Sequence, residues 1–205
     1  MIFISPTFLD SFRYYIDAEP EYATQARQDL LDRLNGVSVT NERMQAGIDF
    51  ENALCNYCDG LLKFGEETPY SRCIEEMSGH VKGASRQVEV MCQLTDSVVI
   101  RGYIDFLLGN TIIDVKTTSK YDCPKYLKNN QHRAYMGALH EKGITRFQYL
   151  VTDFKDVFIE EYFWHESMLE ELRGRVNELF SYLEDDVEMR QAFERKAGRS
   201  FRRAA

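Results

Sequence analysis

The sequence predicts a mixed α/β domain in which helices flank an open sheet. Three observations carry that expectation. Apolar residues recur at helical spacing over residues 5–62, strand-like runs broken by turn residues fill 87–164, and helix formers dominate from Glu166 onwards. A length of 205 residues suits one domain with a real core, and apolar and charged contents of 44% and 28% argue against disorder or a fibrous repeat.

Ser5-Pro6 joins a helix cap to a proline at the first helical position, so a first helix is expected there with Phe8, Phe12 and Tyr15 on one face. A second is expected from Tyr22 to Leu34, stopping at Asn35-Gly36. A third runs from about Asn41 to Leu62, with Met44, Ile48, Leu54, Cys55, Cys58 and Leu62 as its apolar stripe. Between Lys63 and Ser85 the mixture of Gly, Pro, Ser and charge reads as a loop or lid, in which His80 is a surface residue. Strands are expected over Gln87–Leu94, Val98–Leu108 and Thr111–Thr118, a helix over Pro124–His140, and strands over Ile144–Thr152 and Val157–Trp164. The domain thus divides into N-terminal helices (1–63), a core (86–164) and C-terminal helices (165–205).

A net charge of −8 argues against a protein that coats nucleic acid, but not against an enzyme that touches it locally, because the local field governs approach. Two stretches are basic. Lys116 to Arg133 carries Lys116, Lys120, Lys125, Lys128 and Arg133 against the acid Asp122; Arg195, Lys196, Arg199, Arg202 and Arg203 read as a solvated, frayed tail. Cys55, Cys58, Cys73, Cys92 and Cys123 are odd in number and scattered, and Cys55-x2-Cys58 has no second pair at zinc spacing. No apolar run approaches the ~20 residues that span a bilayer, and the N-terminus lacks the basic start of an export signal. A soluble cytoplasmic protein with reduced thiols and no membrane partner is expected.

Gly109-Asn110 separates two β-rich runs and is a two-residue hairpin signal. With Leu108 facing Thr111, counting inward sets Asp105 directly opposite Asp114 and Tyr103 opposite Lys116. Strand alternation then gathers Asp105, Asp114 and Lys116 on one face, the two carboxylates roughly 5 Å apart at Cβ. Opposed like charges destabilise a sheet, and both acids lie within apolar runs that read as buried strands. A divalent cation taking carboxylate oxygens resolves the conflict, as would a solvated strand face. Glu51 falls between Ile48 and Leu54 on the third helix, with Gly47 one turn earlier allowing close approach. It is a candidate third acid, although an edge position reaching solvent fits the periodicity equally well. Gln131 and Tyr135, four apart, share a helix face.

Taken together, Gly102-Tyr-Ile-Asp105, Asp114-Val-Lys116-Thr117 and Gln131-His-Arg-Ala-Tyr135 resemble, in order and spacing, the G-x-x-D, D-x-K-T and Q-x-x-x-Y motifs of the PD-(D/E)XK nuclease superfamily. The resemblance is to its RecB-like exonuclease branch, which includes phage recombination nucleases. The segment from Ser5 to Phe12 is similar to that branch's leading helix, and Gly47-Ile-Asp-Phe-Glu51 to its upstream ligand motif. What this implies is a restriction-endonuclease-like αββαβ core with an open mixed sheet, and metal-dependent phosphodiester hydrolysis leaving a 5′-phosphate. Asp105, Asp114 and Lys116 would form the catalytic set. Glu51, Asp105, Asp114 and the Val115 carbonyl would hold one or two Mg²⁺ or Mn²⁺ ions, with Lys116 orienting water or stabilising charge. Gln131 and Tyr135 would hold the nucleic-acid strand or the active-site lysine, or else pack the helix.

Lys120, Lys125, Lys128 and Arg133 are candidates for phosphate contacts with DNA, as single strand or duplex end. Some members of the branch carry an iron–sulfur cluster on one early and three late cysteines; no cysteine follows Cys123, so no iron–sulfur cluster is expected. No G-x4-G-K-[ST] motif occurs, so a helicase, like a recombinase or single-strand-binding partner, is expected on a separate chain. The expected function is a DNA exonuclease of recombination or repair. Competing readings are a silent nucleic-acid-binding scaffold of the same fold and a metal hydrolase of another phosphate ester.

Overall fold

A six-stranded mixed sheet lies between two unequal layers of helices in the structure, a computed structural model that describes residues 1–37 and 41–203, with side chains as far as Gly198. The chain opens with a strand the sequence reading did not include, β1 (Ile2–Ile4). Helices α1 (Pro6–Ile16), α2 (Pro20–Asn35) and α3 (Glu42–Cys58) follow. The Ser5 hydroxyl accepts the Phe8 N–H at 3.2 Å, and Gly36 closes α2 at φ 73°, a backbone conformation that glycine adopts without strain.

Two expectations fail on this side of the molecule. Met44 and Ile48, assigned to the buried stripe of α3, are about half exposed (47% and 49%); Leu54 of that stripe is buried, together with Phe50, which the stripe did not include. The stretch read as a loop contains α4 (Pro69–Val81). Its signals were present: Thr68 caps the Ser71 N–H, Ser71 reciprocates, Pro69 opens the first turn, and Cys73, Ile74, Met77 and Val81 recur on one buried face. His80 therefore lies on a helix, partly buried.

Strands β2 (Ser85–Gln93), β3 (Val98–Leu108) and β4 (Thr111–Thr117) form next, and Gly109 turns the β3–β4 hairpin at φ 58°. The following helix, α5 (Gln131–Leu139), begins later than expected. Residues 118–130 are held in irregular conformation by the buried Glu160 carboxylate, which accepts the Lys125 and Tyr126 N–H groups and the Tyr121 hydroxyl. Strands β5 (Arg146–Thr152) and β6 (Val157–Phe163) complete the sheet, and α6 (Ser167–Asp185) and α7 (Val187–Arg203) close the chain. The expected frayed tail is thus helical: Arg195 donates to Asn35 and Lys196 to the Arg33 carbonyl, while the side chains of Arg199, Arg202 and Arg203 lie outside the described residues.

The strand order is β1-β3-β4-β5-β6, with β2 pairing along the other edge of β3. β4 and β5 run parallel, joined by α5 as the crossover, whereas β3–β4 and β5–β6 are antiparallel. On one sheet face α1, α2, α5, α6 and α7 pack over Ile100, Ile104, Ile112, Phe147 and Tyr149. On the other, α3 and α4 cover Phe106, Ile113, Val115 and Leu150. The strands at the centre are apolar on both faces because both faces are covered.

Candidate active site

The sheet opens at its centre. β2 fills one edge of β3, so β1 and β4 share the other, pairing with residues 98–100 and 106–108 respectively. Between them, residues 101–105 have no ladder partner on that edge among the described residues. The hairpin register is as counted for Leu108–Thr111, Leu107–Ile112 and Phe106–Ile113, but the ladder ends there. Asp105 and Asp114 are therefore not a ladder pair, and neither are Tyr103 and Lys116. Beside this gap α5 packs a side chain closely against β3: a Cβ at Gly102 would stand 2.7 Å from the Tyr135 ring and hydroxyl. The glycine of the G-x-x-D motif makes room for that ring.

Site side chains complete the hydrogen bonding that the ladder leaves unfinished, as buried backbone groups require. Asp105 Oδ2 accepts the Val115 N–H at 3.2 Å. In an extended strand the N–H and C=O of one residue point to the same edge, so the Val115 carbonyl faces this gap too. The simple alternation assumed for Asp105 also breaks: Ile104 packs in one core and Phe106 in the other. Across from Asp105, between the pairs Arg86–Phe106 and Val88–Ile104, sits Gln87 with φ 50°, which few non-glycine residues adopt. Gln87 Nε2 reaches Glu51 Oε1 at 3.4 Å.

Asp114 is 1% exposed on the helix-covered face. Its Oδ1 accepts Gln131 Nε2 at 2.9 Å, and its Oδ2 meets Lys116 Nζ at 2.5 Å. Apart from that ammonium, Oδ2 meets no donor among the described residues. The Lys116 side chain is 26% exposed and lies 5.9 Å from the Tyr149 ring centre. Burial is the largest influence on its ammonium and works against the charge, but Asp114 and Asp105 together outweigh it and its pKa is raised. Burial, then the Asp114 charge, pushes Asp105 up to about 8. Glu51 is raised for the same two reasons in the same order. A Cβ at Gly47 would stand 2.9 Å from Thr117 Oγ1, so α3 approaches the end of β4 closely and brings Glu51, one turn on, towards Asp114.

The site thus brings together Glu51, Asp105, Asp114, Val115, Lys116, Gln131 and Tyr135. The basic candidates do not join it as a group. Arg133 is stapled into the fold, donating to Glu171 at 2.6 Å and to the Leu127 and Asn129 carbonyls. Lys125 is turned onto Thr118 and the Lys120 carbonyl; Lys120 pairs with Asp122, and Lys128 lies 3.9 Å from Asp17, both exposed. Two further residues went unremarked in the sequence, Gln87 and the buried acid Asp10. Asp10 could have been suspected from its place beside Leu9 within the apolar first helix; Gln87 leaves no local signal.

Several features suit a divalent cation. Burial and the Asp114 charge raise the pKa of both Asp105 and Glu51, one buried Asp114 oxygen meets only an ammonium, and a backbone carbonyl faces the same gap. Among the described residues, however, no three His, Cys, Asp or Glu side chains form a ready-made cage. Each acid is turned to a protein partner instead: Asp114 to Gln131 and Lys116, Asp105 to Val115, Glu51 to Gln87.

No family model and no curated protein matches this chain. A solved structure titled "Crystal structure of SSO0001" is similar at a TM-score of 0.47 and 17% identity, over 87% of this chain and 77% of that one, a likeness that carries no argument about function. Among the described residues no helix is long and apolar enough to cross a membrane.

Proposed function

We propose that the chain is a Mg²⁺- or Mn²⁺-dependent DNA nuclease of the PD-(D/E)XK type with a restriction-endonuclease-like core, acting as an exonuclease in recombination or repair. The observation that carries this reading is the desolvated group of Asp105, Asp114 and Lys116 at a break in the sheet. Folding alone has no use for two such acids side by side, and their mutual destabilisation is what a bound cation would relieve. In this reading Asp105, Asp114, Glu51 and the Val115 carbonyl hold the metal. When bound, the ion supplies a more acidic water and a counter-charge for the phosphate.

The chain's own residues supply the rest. Lys116, whose ammonium is held beside Asp114 Oδ2, would present a mobile positive charge to the attacking water or the phosphoryl oxygens. Gln131 keeps the other Asp114 oxygen in place. Tyr135 packs beside the gap, a structural duty rather than contact with DNA, since it is buried against Gly102. Lys120 and Lys128, exposed on the connection after β4, are the phosphate contacts best placed to act.

The test is cleavage of end-labelled linear and closed circular DNA with Mg²⁺, Mn²⁺ or EDTA, for wild type and Lys116→Ala. Metal-dependent loss of linear DNA alone, reduced at least ~100-fold in the variant, is the expected result. Cutting of circles would keep the site and make the enzyme an endonuclease. Equal inertness of both proteins on every substrate would remove the catalytic reading and favour a binding module of the same fold.

A further inference from the structure

We infer that Asp10 is a positioning residue for the site: from α1 it fixes the start of α5, and so the grip of Gln131 on Asp114. Asp10 is 7% exposed. Its Oδ1 accepts both the backbone N–H of Asn130 at 2.8 Å and the Asn130 side-chain amide at 2.9 Å. One turn later on α1, Arg13 Nη2 donates to Asn129 Oδ1 at 3.3 Å. Two adjacent asparagines at the head of α5 are therefore clamped by two residues of α1.

The residue after this clamp is Gln131, the first of α5, whose amide holds Asp114 at 2.9 Å. The Asn130 side chain does not cap its own helix and is turned to Asp10 instead. All four polar residues of the chain Asp10–Asn130–Gln131–Asp114 are buried, so none can drift onto water as a substitute partner. Asp10 also contributes, after Asp114 and Asp105, to the charge environment of Lys116. A buried acid is tolerated where it is paired, and here the pairing links the first helix to the reactive strand.

The consequence for turnover rests on the nuclease reading; the consequence for Gln131 does not. The experiment is NMR measurement of solvent exchange at the Gln131 side-chain amide in metal-free wild type, Asp10→Ala and Asp10→Asn, with Mn²⁺ affinity and cleavage rate measured on the same proteins. Asparagine keeps an acceptor oxygen, so Asp10→Asn should retain Gln131 protection near wild type. Asp10→Ala should lose it at least tenfold, and with it at least tenfold in Mn²⁺ affinity or in kcat at little change in KM. If Asp10→Ala does not fold, Asn130→Ala, which gives up the side-chain amide that Asp10 holds, decides when paired with Gln131→Ala: acting through one path, the pair should be no worse than Gln131→Ala alone in Mn²⁺ affinity. Unchanged Gln131 protection in a folded Asp10→Ala, or additive losses in the pair, overturns the inference. Absence of cleavage by wild type would sink the nuclease reading and leave the Gln131 result to stand by itself.

Discussion

The Asp105 carboxylate accepts the Val115 N–H at 3.2 Å, standing where the next rung of the β3–β4 ladder would have been. A side chain thus closes a gap that the backbone leaves open, and the same carboxyl is pushed up to about 8 by burial and by Asp114. The residue that completes the sheet is also the one whose charge the site accommodates worst.

A pH dependence follows from that conflict. Asp105 titrates near its ordinary 3.8 when unfolded and about 8 when folded, so between those values the folded protein binds the extra proton. Its contribution to stability is fully present below about pH 4 and is lost as pH rises through about 8. Thermal melts in EDTA should show wild type falling in Tm over that window more than Asp105→Asn does, and added Mg²⁺ should restore Tm most at the alkaline end. Identical pH slopes in the two proteins would mean that Asp105 is not the strained group.

Gly102→Ala tests the close packing of Tyr135 on β3 beside the gap. Its Cβ would meet the Tyr135 ring 2.7 Å away, on a ring packed in the core, so the helix or the strand must shift. A loss of about 1–3 kcal/mol is expected from urea denaturation, with turnover falling as Asp105 moves. Tyr135→Phe, which keeps the ring and removes a hydroxyl on a buried residue, should cost about 1–2 kcal/mol.

Arg133 and the exposed lysines should separate cleanly. Arg133→Ala leaves the Leu127 and Asn129 carbonyls without this donor and should lower stability by about 1–3 kcal/mol. Lys120→Ala and Lys128→Ala should leave Tm unchanged and each reduce the slope of log binding against log salt by roughly 0.7–0.9. DNA-binding titrations at several salt concentrations, together with melts, check both; a salt slope lowered only by Arg133→Ala would reverse the assignment.

Gln87→Gly should trade stability against turnover. The strained φ of 50° stores on the order of 1–3 kcal/mol, and glycine gives back about 0.5–1 kcal/mol in chain entropy. Equal or higher stability is expected, with cleavage reduced several-fold because Glu51 loses the amide 3.4 Å away. A variant that is both less stable and fully active would show the strain to be incidental.

Much of this was legible locally. Caps at Ser5 and Gly36, the Gly109-Asn110 turn and the apolar runs on either side of it mark α1, α2 and the β3–β4 hairpin, because these signals act through neighbours in the chain. The order of Asp105, Asp114, Lys116, Gln131 and Tyr135 was likewise readable from spacing. The α4 helix was readable and misjudged, since its Pro and Ser belong to a cap rather than a loop.

What only the tertiary structure decided is where the strands part. Register counting carries a hairpin forward without limit, but here the ladder ends after Phe106–Ile113, Asp105 turns onto the Val115 amide and the acids collect at the break. Beside that break Tyr135 arrives from a later helix and packs where only a glycine at 102 leaves room. The same holds for α1, whose Asp10 reaches α5 across 120 residues of chain. Local sequence determined which residues could form the site; long-range packing, which no local pattern encodes, determined how they face one another.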